Sequence, residues 1–278
     1  MRRELARAHS SLRLEEHRNR GLPELTRIET AEEYDRRLNE SVTEYMTFLE
    51  EGEIQRVEPW MDAALRAKNG SFTPAGPNEI RNFFQEVNYR DPVVLRTHLH
   101  HWIELAMMVE EPHASPIRSV PLLYNLWDAR SEGLATGMEE MMMHAGLLAD
   151  KPRSRELVWI MLAQRAARAL SGLYLHGNVY DMEEAVAHAT EWTPRGWLPD
   201  AALVRNEQHL YLRQPGYGTS YHTGHTQLAE LLGAWARREG ESFTVKRFFD
   251  DFFSAGVIPV VLTRWEMTGN IDELLIER

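Results

Sequence analysis

Three imidazoles and a carboxylate lie within seven residues in Thr97-His98-Leu99-His100-His101-Trp102-Ile103-Glu104. Further along comes an acid-rich segment, Ser131-Glu132-Gly133-Leu134-Ala135-Thr136-Gly137-Met138-Glu139-Glu140. On a helix, side chains three or four positions apart share a face. His98 then points with His101, and Glu104 with either His100 or His101. Glu132 and Glu139 share a face of their own helix. Imidazoles and a carboxylate converging in a water-poor site suit zinc, or else iron(II). One ion cannot be held from two opposite helix faces. The expected ligands are therefore His98, His101 and Glu132, with Glu104 either ligating or orienting an imidazole. The competing reading is a polar helix face with one packed histidine. Glu139 and Glu140 read as solvated acids, Glu140 paired locally with His144. Met138, Met141, Met142 and Met143 read as core filler.

A second group, Tyr221, His222 and His225, follows the break at Pro215-Gly216. Backbone N–H groups at a helix start can hold an anion. Tyrosine or histidine there can donate to a developing oxyanion. The competing reading is a buried tyrosine and a satisfied core histidine. Gly224 inside this helix would let another backbone or a ligand come close. Arg213 could grip a carboxylate with two parallel hydrogen bonds. No G-x-S-x-G and no glycine-rich phosphate loop is present, so a serine hydrolase or nucleotide site has no support.

These residues need elements to hold them, and the patterning is helical throughout. Thr30-Ala31-Glu32-Glu33 and Asp181-Met182-Glu183-Glu184 are capping boxes. Tyr34, Leu38, Val42 and Tyr45 form a helical stripe. A helix over 53–68 is either kinked at Pro59 or starts there. Asn78 is expected to open a short helix. Asp91-Pro92 opens the helix that carries the histidines to about Glu110. Further helices are expected from Pro121 through Leu148, from Arg155 to Tyr174, from Asp200 to Arg213, after Gly216, and over Val245–Ala255. Val257 to Thr263 reads as an apolar turn and helix, because Pro259 argues against a central strand. The fold class is all-α with roughly ten helices. Residues 1–29 read as a basic N-terminal arm or short helix, and 30–278 as a single all-α domain. The formal net charge of −11 disfavours nucleic acid and anionic membranes as partners. With no cysteine, disulfides and thiolate ligands are excluded. No apolar run is long enough for a membrane-spanning helix, and no secretory signal is recognised. A cytoplasmic location is the default expectation.

Several phrases together resemble a large bacterial family, domain of unknown function 885. Glu132-Gly133-Leu134-Ala135 resembles its Glu-Gly-Trp-Ala motif. Ser171-Gly172-Leu173-Tyr174, within 165–189, resembles its Thr-Gly-Leu-His stretch. Arg213 to Gly224 resembles its Gln-Pro-Gly-Gln-Ala-x-x-Tyr-Lys-x-Gly motif, and Phe243 to Pro259 its closing segment. The succession covers about 90–270, with the family's N-terminal half mostly absent. The resemblance implies a gluzincin-like helical fold and metallopeptidase-related chemistry. The chain departs from the family's His-Glu-x-x-Pro-Gly-His metal motif, which falls on His98, Leu99 and Glu104. Leucine cannot act as the general base for metal-bound water. Tyr174 stands where the family has histidine, and His222 where it has lysine.

The expectation is a metal-dependent enzyme, a hydrolase or lyase acting on a small amide, peptide-like or amino-acid-derived substrate. Zinc is the expected cofactor, with iron as the alternative. Tyr221 or His222 would stabilise negative charge, and a proton would pass to Glu104, His100 or His222. Arg213, Tyr174 and His225 are the expected substrate-binding residues. Two rival readings are a non-catalytic helical binding protein and a non-haem iron or di-metal protein. The di-metal reading needs Glu139 or Glu140 as a further ligand. Oligomeric state is left open.

Overall fold

The chain is described here by a computed structural model, which covers residues 1–76, 79–121, 124–199 and 201–270. Its helices begin where side chains can take up unpaired backbone N–H groups. Thr30 Oγ1 accepts from Glu33 N at 3.1 Å, while the Glu33 carboxylate accepts from Glu29 N. At Asp181 the box is fully reciprocal, with both bonds to Glu184 at 2.9 Å. Asp91 caps the next histidine-bearing helix by accepting from Val93 N. The expected caps Asn78 and Asp200 lie outside the described residues. The short helix after the first is opened by Asn82, whose side chain accepts from Gln85 N.

The described residues hold thirteen α-helices and no strand. The first six are α1 (Arg2–Arg18), α2 (Ala31–Glu51), α3 (Pro59–Arg66), α4 (Phe83–Arg90), α5 (Pro92–His98) and α6 (His100–Glu110). Then follow α7 (Tyr124–Ala145), α8 (Pro152–His176), α9 (Met182–Trp192) and α10 (Ala201–Arg213). The chain closes with α11 (Tyr217–Glu239), α12 (Val245–Ser254) and α13 (Val260–Thr268). The number exceeds ten partly because the helix expected from Asp91 to Glu110 is two helices. The ambiguous segments at 1–29 and 257–263 also prove largely helical. α1 buries Leu5, Ala8 and Leu12, and packs along α8. Asn19 ties its end down by donating to the Pro152 carbonyl and the Glu156 carboxylate.

α7 and α11 pack against each other more extensively than any other two described helices. Their crossing needs glycine. A Cβ at Gly133 would lie 2.4 Å from Gly224 backbone atoms, and one at Gly224 would lie 1.6 Å from the Ala129 carbonyl oxygen. Both separations are well inside van der Waals contact, so the close approach exists only without side chains there. This crossing carries Glu132 and the start of α11 together. α8 is buried along most of its length, including the charged residues Arg165 and Arg168.

Candidate metal centre

The helix expected to carry all the histidines breaks at Leu99, where φ is −70° and ψ is 3°. Trp102 N, which an unbroken helix would bond to the His98 carbonyl, donates instead to Leu99 O at 2.9 Å. The freed His98 carbonyl accepts from His101 Nδ1 at 2.7 Å. The break thus turns the His101 ring back over the end of α5. The two imidazoles lie 5.1 Å apart between centroids.

From α7, Glu132 meets them. One potential ligand atom from each of His98, His101 and Glu132 lies within 4.8 Å of the other two. Among the described residues this is the only such group of three or more metal-ligating side chains. Each member is also held from behind. With Nδ1 of His101 committed to a carbonyl, its Nε2 is left for another partner. His98 Nδ1 lies 2.9 Å from Glu139 Oε1 and 3.1 Å from Arg165 Nη2. With the proton on Nδ1, His98 donates to Glu139 and presents a bare Nε2. Burial, reinforced by the charges of Arg165 and His101, holds its pKa well below the ordinary range, so the ring is neutral. Glu132 Oε1 accepts from the Tyr217 hydroxyl at 2.5 Å. Imidazoles fixed through Nδ1, together with a hydrogen-bonded carboxylate, are what metal ligation requires.

Around this group lies a tyrosine and arginine layer. The Tyr221 ring is edge-on to Tyr217 and stands 5.7 Å from the Arg165 guanidinium and 5.6 Å from that of Arg168. Burial raises the Tyr217 pKa, and the Glu132 charge raises it further. Tyr221 is therefore at the site, but the hydroxyl that reaches Glu132 is that of Tyr217, one turn earlier. Asp128, one turn before Glu132 on α7, is buried, and its Oδ2 has no hydrogen-bond partner among the described residues. Burial, followed by the charge of Glu132, pushes its pKa up to about 6.

Other expected site residues are turned elsewhere. Glu104 does not join the group: Arg130 Nε donates to it at 2.7 Å, and both side chains are buried. His100 faces away, its Nδ1 2.9 Å from the Tyr45 hydroxyl and its ring against Phe253. Burial lowers its pKa to about 3, so it is a neutral core residue and no proton relay. His222 is buried, with neither ring nitrogen bonded to a described residue, and burial lowers its pKa to about 3. His225 lies 3.5 Å from Glu140, in a groove that Glu4 and Arg7 also line. The Tyr174 hydroxyl accepts from Arg2 on α1, and its ring packs on Tyr180 and His188. Arg213 is exposed at the end of α10. These corrections share one cause. Helical spacing says which side chains travel together, whereas the neighbour each one meets depends on how the helices cross.

Glu139 and Glu140 are not solvated acids. Glu139 is buried and bound by both Nη groups of Arg165 at 2.6 Å. Glu140 takes two bonds from Arg7. Sequence reasoning passed over Tyr217 and Asp128 as functional residues, and weighed Glu139 only as a solvated acid or a second-metal ligand, not as the support of His98. Each lies four or seven positions from a residue it had singled out, which was the available signal.

Residues 26–267 match the family described as "Bacterial protein of unknown function (DUF885)", so the match reaches well before residue 90. No curated protein matches the sequence. Two solved structures share the fold. One, described as a "putative lipoprotein" of Colwellia psychrerythraea, is 16% identical with a TM-score of 0.69, covering 97% of this chain and 51% of its own. The other, a "putative lipoprotein of unknown function" from Shewanella oneidensis, is 17% identical with a TM-score of 0.67, covering 95% and 53%. The chain thus spans about half the length of each. Both descriptions run against the cytoplasmic expectation, because lipoproteins are anchored at membranes, and that expectation is withdrawn. No described helix is long and apolar enough to cross a membrane.

Proposed function

The chain belongs to the bacterial family DUF885, and from that premise we propose that His98, His101 and Glu132 hold a divalent metal ion, zinc by preference, in an enzyme acting on a small amide or peptide-like substrate. The observation that carries this reading is the double anchoring of the imidazoles. His101 is fixed by a backbone carbonyl and His98 by a buried carboxylate, both through Nδ1. That pattern supports a ligand role over mere packing, since both rings are fixed through Nδ1 and one potential ligand atom of each lies within 4.8 Å of the other and of Glu132.

A bound ion of this kind polarises a carbonyl or makes water acidic enough to attack it. The chain's own residues supply the rest. Tyr217 restrains the Glu132 carboxylate. Tyr221, packed between Tyr217 and two guanidinium groups, faces the same region. Leu99 cannot take a proton, Glu104 and His100 are committed to Arg130 and Tyr45, and burial lowers the pKa of His222 to about 3. Asp128 is the acceptor this reading assigns. It shares a face with Glu132, lacks a described partner on Oδ2, and has its pKa pushed up to about 6 by burial and by the Glu132 charge. Hydrolase or lyase chemistry of a divergent metallopeptidase type fits this arrangement. A di-metal centre is disfavoured because Arg165 and Arg7 already engage Glu139 and Glu140.

The test is elemental analysis of protein purified without added metal. Near-stoichiometric zinc is expected in the wild type and none in His101→Ala. A wild type without metal, or a His101→Ala variant that keeps it, rejects the proposal. Iron in place of zinc would move the reading toward non-haem iron chemistry.

A further inference from the structure

Three buried arginines on α7 and α8, Arg130, Arg165 and Arg168, differ in how fully they are used. Arg130 is spent: Nε goes to Glu104, Nη1 to Ile258 O and Thr263, and Nη2 to Phe252 O. Arg165 commits both Nη groups to Glu139. Arg168, one turn further along α8, is only 2% exposed and uses Nη1 alone, on Glu207 of α10. Its Nε and Nη2 are both buried, and neither has a hydrogen-bond partner among the described residues.

Those two donors are adjacent on one edge of the guanidinium. That edge presents parallel N–H groups at the spacing of the two oxygens of a carboxylate. Leaving a buried donor unmade costs roughly 1–3 kcal/mol, so a fork left open inside a protein calls for a ligand. Its position suggests which one. The Arg168 guanidinium stands 5.6 Å from the Tyr221 ring. Its charge acts on His98, and it feels the charge of Glu132, two of the three proposed metal ligands.

We infer that the Nε–Nη2 edge of Arg168 is a carboxylate-recognition site beside the metal centre, and that the substrate carries a free carboxylate near the group that reacts. The word substrate rests on the function proposed above; binding of a carboxylate at Arg168 does not. Arg168 here is a binding residue that selects the acid and orients it. Esters and amides of the same acid, having lost the second equivalent oxygen and the charge, would be excluded.

The test is calorimetric titration of the full chain with N-acetyl-L-alanine, its methyl ester and N-acetyl-trialanine, each with and without zinc. The acid is expected to bind about tenfold or more tightly than the ester. Arg168→Lys, which keeps a charge for Glu207 but removes the fork, is expected to lose about tenfold in acid binding with zinc content unchanged. If that variant fails to fold, the paired change Arg168→Gln with Glu207→Gln removes both charges together and should show the same loss. Tighter binding of the trialanine would point to peptide ends, and equal binding to small acids; either supports a carboxylate site. Equal affinity for acid and ester in the wild type overturns the inference, and so does absence of acid binding at millimolar concentration. A wild type that takes up no zinc yet still prefers the acid would sink the metal reading and leave this one standing.

Discussion

The segment from His98 to Glu104 has two sides with different fates. On one side His98 and His101 meet Glu132 of α7, with Nδ1 of His98 against Glu139 of α7 and Nδ1 of His101 on the His98 carbonyl. On the other, His100 lies against Tyr45 and Phe253, and Glu104 is consumed by Arg130. The first side is buried at His101 and half-buried at His98 and Glu132, the second is buried at His100 and Glu104, and both contain histidine and glutamate. What separates them is the set of partners waiting across the interface. The first side ends in ring nitrogens and a carboxylate brought to one point. The second ends in pairs that neutralise each other, which is how a protein closes a polar contact inside its core. Burial of titratable groups is therefore a poor guide to function in this fold, whereas the commitment of their second atoms is a good one.

The contrast can be broken most sharply at Glu104. Replacing it with alanine strands a fully buried Arg130 charge, and a loss of roughly 3–5 kcal/mol is expected in urea unfolding. Metal content of whatever folded protein is recovered should match the wild type. A Glu104→Ala protein that is stable but metal-free would mean the two sides have been assigned the wrong way round. The matching change on the other side is Glu139→Gln. Glutamine can still accept from Arg165, but it no longer offers His98 a charged acceptor. Zinc affinity is expected to fall about 10–100-fold, the usual cost of removing such a support. Competition against a chromogenic chelator measures it, and unchanged affinity would show that Glu139 merely fills space.

A smaller effect concerns a buried histidine with no hydrogen-bond partner among the described residues. His222 has its pKa lowered from 6.5 to about 3, first by burial and then by the charges of His225 and Arg165. Between those values the unfolded chain binds a proton that the native ring refuses. Its stabilising contribution is thus present above about pH 6.5 and is lost as pH falls toward 3, at up to ~1.4 kcal/mol per pH unit. His222→Phe should remove this part of the acid sensitivity. The gap in unfolding free energy between variant and wild type should shift in favour of the variant from pH 7 to pH 4. Parallel curves would show that His222 is protonated in the native state, and so not sealed away as a core residue.

Much of this was readable in the amino-acid sequence. Asp91-Pro92, Thr30 and Asp181 start helices because a side-chain oxygen three residues or fewer away can take up an orphan N–H, and that chemistry is local. The trio His98, His101 and Glu132 could be selected from helical spacing and from the Glu-Gly-x-Ala phrase. Glycine at 224 pointed to a close approach, and the partner proved to be Gly133. The break at Leu99 was not readable, because no proline or glycine marks it; it is sustained by His101 taking the carbonyl that Trp102 gives up.

The sequence alone therefore determined an all-α chain, its helix starts, and a short roster of metal-ligating side chains. It could do so because helical periodicity and capping act over a few residues. Only the tertiary structure decided which roster members meet. It brought Tyr217 rather than Tyr221 onto Glu132, gave Glu139 to His98, and turned His100 and Glu104 toward other partners. Those choices depend on how α7, α8 and α11 cross, which places residues far apart in the chain within a hydrogen bond of each other, and no local rule encodes that distance.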